Sequence, residues 1–356
     1  MDPRAEKLAK LLVEYSTGVQ KGDYVQIHGD TVAEELLKAV YREVLKKGAF
    51  PVLHLSFQDT GYDYYKATEE QLKTFPKVQM YEARHTDVFI VINGSQNTRE
   101  LSNIDPQKMV VRKKIVKPLD DWLIKRTRWV VAMYPTNAEA QEANMSLGEF
   151  EGFVYKACLR DWAKESENQD KIKKFFDKGK TVKIIAPGTH LTFSIKDRKG
   201  TKCDGKFNMP DGEVFYAPQE NSAEGKISYT YPAIKGGREV SDIVLVFKKG
   251  KVVEAHAAKN EDFLIKTLDT DEGARFIGEF GIGTNDKIQR FIKNILFDEK
   301  IGGSIHLALG EAYEESGGRN KSAIHWDMLL DLRKSAGGGE IYLDDKLVQK
   351  NGIWVF

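Results

Sequence analysis

The chain has 356 residues but only two cysteines, Cys158 and Cys203. It therefore holds neither a disulfide framework nor a thiolate zinc site, and any metal must be bound by histidine and carboxylate. An excess of one charge sign is also missing. With 54 Lys+Arg against 53 Asp+Glu and a net charge of +1, there is no basic footprint for nucleic acid and none for an anionic membrane surface. No apolar run approaches the roughly 18 residues needed to cross a bilayer. The opening stretch MDPRAEKLAKLLVEYSTGVQKGD mixes both signs through its apolar positions, unlike a secretory signal or transit peptide. The expectation is a soluble, cytoplasmic, globular protein.

Several signatures are absent as well. There is no GxGxxG, P-loop, GxSxG or HExxH, and neither cysteine sits in a nucleophile motif. Dinucleotide binding and acyl-enzyme chemistry on Ser or Cys are therefore unsupported.

What is present reads as two parts. Leu8, Leu11, Leu12 and Tyr15 are spaced as on a helix, which Gly22-Asp23 ends. A strand at 24–28, a helix at 31–47 closed by Gly48 and a strand at 50–55 make a β-α-β unit. Helices at 68–82 and 110–122 and strands at 88–92 and 128–133 continue the alternation, which predicts a doubly wound, mostly parallel α/β sheet. His28-Gly29-Asp30 and Asn93-Gly94-Ser95 end two of its strands and read first as turns.

Residues 138–176 read as mostly helical. From Thr181 the pattern turns strand-like, with a hairpin turn at Lys249-Gly250, helices at 271–278 and 286–297, and a terminal hairpin around Asn351-Gly352. The expected domains are 1–178, an α/β domain, and 179–356, a mixed α+β domain carrying the chemistry.

Three segments of the second part hold candidate residues. NMPDGEVFYAPQENSAEG (208–225) contains four acids and no Lys or Arg. Its Glu213 runs into apolar Val214-Phe215-Tyr216, so it enters the core and needs a partner. IGEFGIGTN (277–285) places Glu279 between a helical stretch and glycines that let backbone approach closely. FDEKIGGSIHLALGEAY (297–313) and SAIHWD (322–327) put His306 on a strand and His325 and Asp327 two apart on one strand face. Each has an ordinary reading: a salt-bridged Glu, a helix-to-loop turn, a core histidine. Together, however, Glu213, Glu279, His306, His325 and Asp327 are the ligand types that suit two divalent ions, and a pair of ions points to hydrolysis.

The ordered set NMPxGEVFxAP, IGEFGIGTN, FDEKIGGSIHLALGxAY and the later HxD resembles the M29 family of metallo-aminopeptidases. KLAKLLVEYSTGVQKGDYVQI and RWVVAMYPTNAEA resemble that family's amino-terminal domain, so the similarity spans nearly the whole chain. The resemblance implies two divalent metal ions (Zn²⁺, Co²⁺ or Mn²⁺) on Glu213, Glu279, His306, His325 and Asp327, with Glu279 bridging. It also implies roles for Glu299 as a further acidic position and Tyr313 as a donor to the oxyanion, and names Glu213 and Glu299 as candidates for proton relay. The implied activity is hydrolysis of the amino-terminal peptide bond of peptides with a free amino terminus. The implied assembly is a homodimer whose sites are enclosed between domains and subunits. EAYEESGGRNKSA, between His306 and His325, is short against the family pattern, which bears on the substrate pocket more than on the metals. A small-ligand-binding protein on the same scaffold and a dinuclear hydrolase of other amides or phosphoesters are the alternatives.

Overall fold

The computed structural model describes residues 2–356 as two compact units, 2–160 with 205–211 and 161–204 with 212–356. In the first, strands run in the order Phe50–Ser56, Tyr24–Asp30, Val88–Asn93, Arg128–Met133 and Asn208–Met209, all parallel. The pattern behind it is plain in Glu34–Lys46, whose Leu36, Leu37, Val40 and Val44 are buried on one helix face. Asp30 accepts a hydrogen bond from the Gly94 amide (2.8 Å), so the two strand-ending turns brace each other. The helix expected at 68–82 is two helices, Glu69–Lys73 and Lys77–Arg84, because Pro76 interrupts the run. Among the described residues no helix is long and apolar enough to cross a membrane.

Helix Trp162–Phe176 belongs to the second unit, so the division falls at 160 and not at the expected 178. Its Ile172 and Phe176 enter that unit's core, and Gln169 donates to the Cys203 carbonyl. The second unit contains an eight-stranded antiparallel sheet and a five-stranded one. The smaller sheet has the order His325–Asp331, Ser304–Gly310, Ile277–Gly283, Glu213–Tyr216 and Thr201–Cys203. Ile184, Leu191, Phe193 and Leu245 from the large sheet share one core with Val214, Phe280, Ile282, Ile305, Leu307 and Met328 from the small one.

Phe280 is central to this core. It is fully buried, with its ring 5.0 Å from that of Phe193 in an edge-on arrangement. Phe280→Ala should therefore destabilise the unit by about 3–5 kcal/mol, read as a lower urea midpoint.

Two helices expected from the sequence are displaced. The first is Glu261–Leu268, and Ile277–Gly283 is instead a wholly buried strand. Of the second only Ile295–Asp298 is helical. Ile288 and Ile292 are buried at helical spacing, but Asp298 accepts from the Ile292 amide and Asn285 from the Lys287 amide. Side chains satisfy that backbone in place of a helix ladder.

Candidate metal centre

Side chains alternate along a strand, so the apolar residues facing the core fix what the opposite face of the small sheet carries. Register places Gly283 opposite Glu213, Gly281 opposite His306, Ala308 between Glu279 and Asp327, and Gly310 opposite His325. All five expected ligands therefore lie on one face, with small residues as their neighbours. The small residues make room. A Cβ on Gly281 would lie 2.0 Å from both Cε1 and Nε2 of His306, so the imidazole lies across that glycine.

The five side chains meet. His306 Nε2 is 3.1 Å from Glu279 Oε1 and 3.2 Å from Glu213 Oε2. His325 Nε2 is 3.4 Å from the other Glu279 oxygen, Oε2, and 3.6 Å from Asp327 Oδ1. Glu279 thus offers one oxygen to each histidine. Both rings are oriented from behind: His306 Nδ1 is 3.1 Å from the Glu299 carbonyl and His325 Nδ1 is 2.8 Å from the Glu311 carbonyl. A carbonyl only accepts, so each Nδ1 carries a proton and Nε2 is the ring atom that faces the carboxylates and can bind a cation once it is deprotonated.

Glu299 joins this group from the end of helix Ile295–Asp298. Its carboxylate, His306 and Asp327 can bring ligand atoms within 4.8 Å of one another, as can Glu213, Glu279 and His306. Tyr313 stands at the edge, its ring centroid 5.1 Å from that of His325 and 5.4 Å from that of Phe215.

Burial and mutual charge shift these groups strongly. Burial opposes charge on His306, but its bond to Glu279 and the charges of Glu213, Glu279 and Asp327 outweigh that and push it up to about 10. His325 is raised in the same way, against burial, by Asp327 and Glu279. Burial pushes Glu213 up to about 8 although Lys300 pulls the other way, and it raises Glu299 too. Glu279 and Asp327 stay below the usual carboxylate range, because the imidazoles beside them overcome burial. Burial and the neighbouring carboxylates, Glu279 first, hold the Tyr313 hydroxyl far above its ordinary value, so it remains a donor.

The donor set fits divalent cations. Glu213 Oε2 and Asp327 Oδ1 are buried without a hydrogen-bond partner, which is costly unless something else satisfies them. Metal ligands bind deprotonated, so cation uptake by this group releases protons. Imidazole and carboxylate donors without thiolate suit zinc, cobalt or manganese.

Comparison with known proteins decides the family. The model of the thermophilic metalloproteases (M29) matches residues 1–354. The chain belongs to the M29 family. Aminopeptidase AmpS of Bacillus subtilis (strain 168) is 26% identical, the alignment covering 100% of both chains. Aminopeptidase T of Thermus thermophilus is also 26% identical over 98% of each chain. The solved structure of wild-type AmpT from Thermus thermophilus superposes with a TM-score of 0.86 at 22% identity, covering 99% of both chains. A 2,5-dihydroxypyridine dioxygenase from Pseudomonas putida KT2440 shares the fold, with a TM-score of 0.66 at 13% identity over 100% of this chain and 98% of that one. Fold alone therefore does not select the chemistry. M29 membership does: the protein is a metalloprotease-family hydrolase that uses divalent metal.

The sequence did not reveal three parts of the site. The carbonyls of Glu299 and Glu311 orient the histidines, but backbone leaves no residue-type signal. Gly281 looks like any loop glycine until its strand is placed beneath His306. Lys300 is fully buried against Glu299 and Glu213, yet nothing in DEKIGG marks it as different from a surface lysine.

Proposed function

We propose that this protein is a dinuclear metallo-aminopeptidase that removes amino-terminal residues from peptides, acting as a cytoplasmic homodimer. The observation that carries the reading is Glu279, with one oxygen toward each imidazole and a further carboxylate beside each: Glu213 by His306 and Asp327 by His325. Glu213, Glu279, His306, His325 and Asp327 would hold two ions, either zinc, cobalt or manganese. When bound, such ions act as Lewis acids that polarise a carbonyl and make water a nucleophile near neutral pH. The names of the M29 relatives supply the substrate class.

The chain's own groups do the rest. Glu299 is the better placed of the two relay carboxyls. Its side chain is 16% exposed against 6% for Glu213, and its raised affinity for a proton lets it take one from water and pass it to the leaving amine. Tyr313 keeps its hydroxyl proton and donates to the oxygen that gains charge as the scissile carbonyl becomes tetrahedral.

Chelation should abolish release of amino-terminal residues, and Zn²⁺, Co²⁺ or Mn²⁺ should restore it, with N-acetylated peptides left uncut. Chelator-resistant cleavage contradicts the proposal. Preference for phosphoesters or internal amides would move the chemistry to another dinuclear hydrolase, and binding without turnover to a ligand-binding role.

A further inference from the structure

Lys300 is fully buried, and its ammonium hydrogen-bonds to Glu299 Oε1 and lies 3.7 Å from Glu213 Oε1. Its backbone is fixed at both ends: the amide donates to the Phe297 carbonyl (3.0 Å) and the carbonyl accepts from the buried Asn285 amide (3.1 Å). An ammonium taken out of water costs several kcal/mol in desolvation, and apolar side chains of similar volume often replace buried ion pairs without loss. The charge at this position therefore answers to the two carboxylates beside it and not to the apolar core.

The neighbours show what the charge does. By standing at Oε1 of Glu213 it leaves Oε2 as the oxygen near His306 Nε2, and Oε2 has no hydrogen-bond partner. It also holds the carboxylate of Glu299, whose own carbonyl orients His306 Nδ1. One cation is thus tied to the two glutamates in contact with His306 other than the bridging Glu279. The charge balance agrees. Glu213, Glu279, Glu299 and Asp327 carry four negative charges when ionised, which two divalent ions offset, so the ammonium leaves one positive charge to balance the anion that forms during hydrolysis.

We propose that Lys300 is a positioning residue and fixed counter-charge of the metal centre, turning Glu213 Oε2 toward the cation site and holding Glu299 for proton relay. This rests on the dinuclear reading above.

The test compares wild type with Lys300→Met by zinc calorimetry on metal-free protein and by steady-state hydrolysis of a short peptide. The wild type should take up two zinc ions. Lys300→Met should bind one of them at least about tenfold more weakly, as loss of a ligand-orienting partner does. Its kcat should fall at least tenfold while KM stays within about twofold. Wild-type zinc affinities and kcat in Lys300→Met would overturn the assignment and leave the lysine a purely structural ion pair. A wild-type protein that binds fewer than two zinc ions would overturn the dinuclear reading itself, a result seen before any variant is compared. Should Lys300→Met fail to fold, Lys300→Gln replaces it, keeping a donor toward Glu299 without the charge, and the same two outcomes apply.

Discussion

Glu279→Gln is expected to lower kcat/KM by about 10³-fold or more and to leave the protein with at most one bound divalent ion. The reason is the division of its two oxygens. Oε1 faces His306 and Oε2 faces His325, so one carboxylate serves both halves of the centre. Glutamine keeps one acceptor oxygen, replaces the other with an NH₂ that cannot bind a cation, and removes a negative charge from a buried cluster. A loss of 10³ corresponds to roughly 4 kcal/mol of transition-state stabilisation, within the several kcal/mol that metal-ion catalysis supplies. The fold should persist, because the opposite face of the same strand, Phe280 and Ile282, remains in the core. Metal analysis alongside urea unfolding checks both statements. Full activity with two ions bound would contradict the role given to Glu279.

Gly281→Ala is the second large effect, although the substitution adds a single methyl group. Its Cβ would fall 2.0 Å from His306 Cε1 and Nε2, far inside contact distance, so the ring must move. Moving it breaks the registry between Nδ1 and the Glu299 carbonyl and withdraws Nε2 from Glu213 and Glu279. Metal affinity should drop by about 10–100-fold and kcat/KM by at least as much. Displacing a fully buried ring should also cost about 1–3 kcal/mol of stability, read as a lower urea midpoint. Calorimetric titration with zinc and peptide kinetics on the folded variant measure this. An unchanged zinc affinity would show that His306 does not depend on the glycine beneath it.

The parts of this protein that could be read from its sequence are those where one residue type at one spacing has one physical meaning. Helix periodicity in 31–47 and the alternation with apolar strands gave the parallel sheet, and the acid and histidine positions gave the ligand types. The strand Ile277–Gly283 was misread because Gly278, Gly281 and Gly283 resemble a loop. In the structure a Cβ on Gly278 would strike the Glu311 carbonyl, one on Gly281 the His306 ring, and one on Gly283 the Ile301 carbonyl. These glycines reflect crowding by neighbours distant in sequence, which local pattern does not encode. The region 286–297 misled for the opposite reason. Ile288 and Ile292 have helical spacing, but side-chain hydrogen bonds to nearby backbone, such as that from the Ile292 amide to Asp298, hold them in irregular backbone. Likewise the burial of Lys300 depends on the strand carrying Glu213, 87 residues earlier in number, and no reading of FDEKIGG alone would reveal it.

The most direct test of the central claim is a crystal structure of zinc- or cobalt-loaded protein with an anomalous difference map at the metal edge. Two peaks are expected, both beside Glu279, with His306 and Glu213 at one and His325 and Asp327 at the other. A single peak, or two peaks that do not share Glu279, would contradict it.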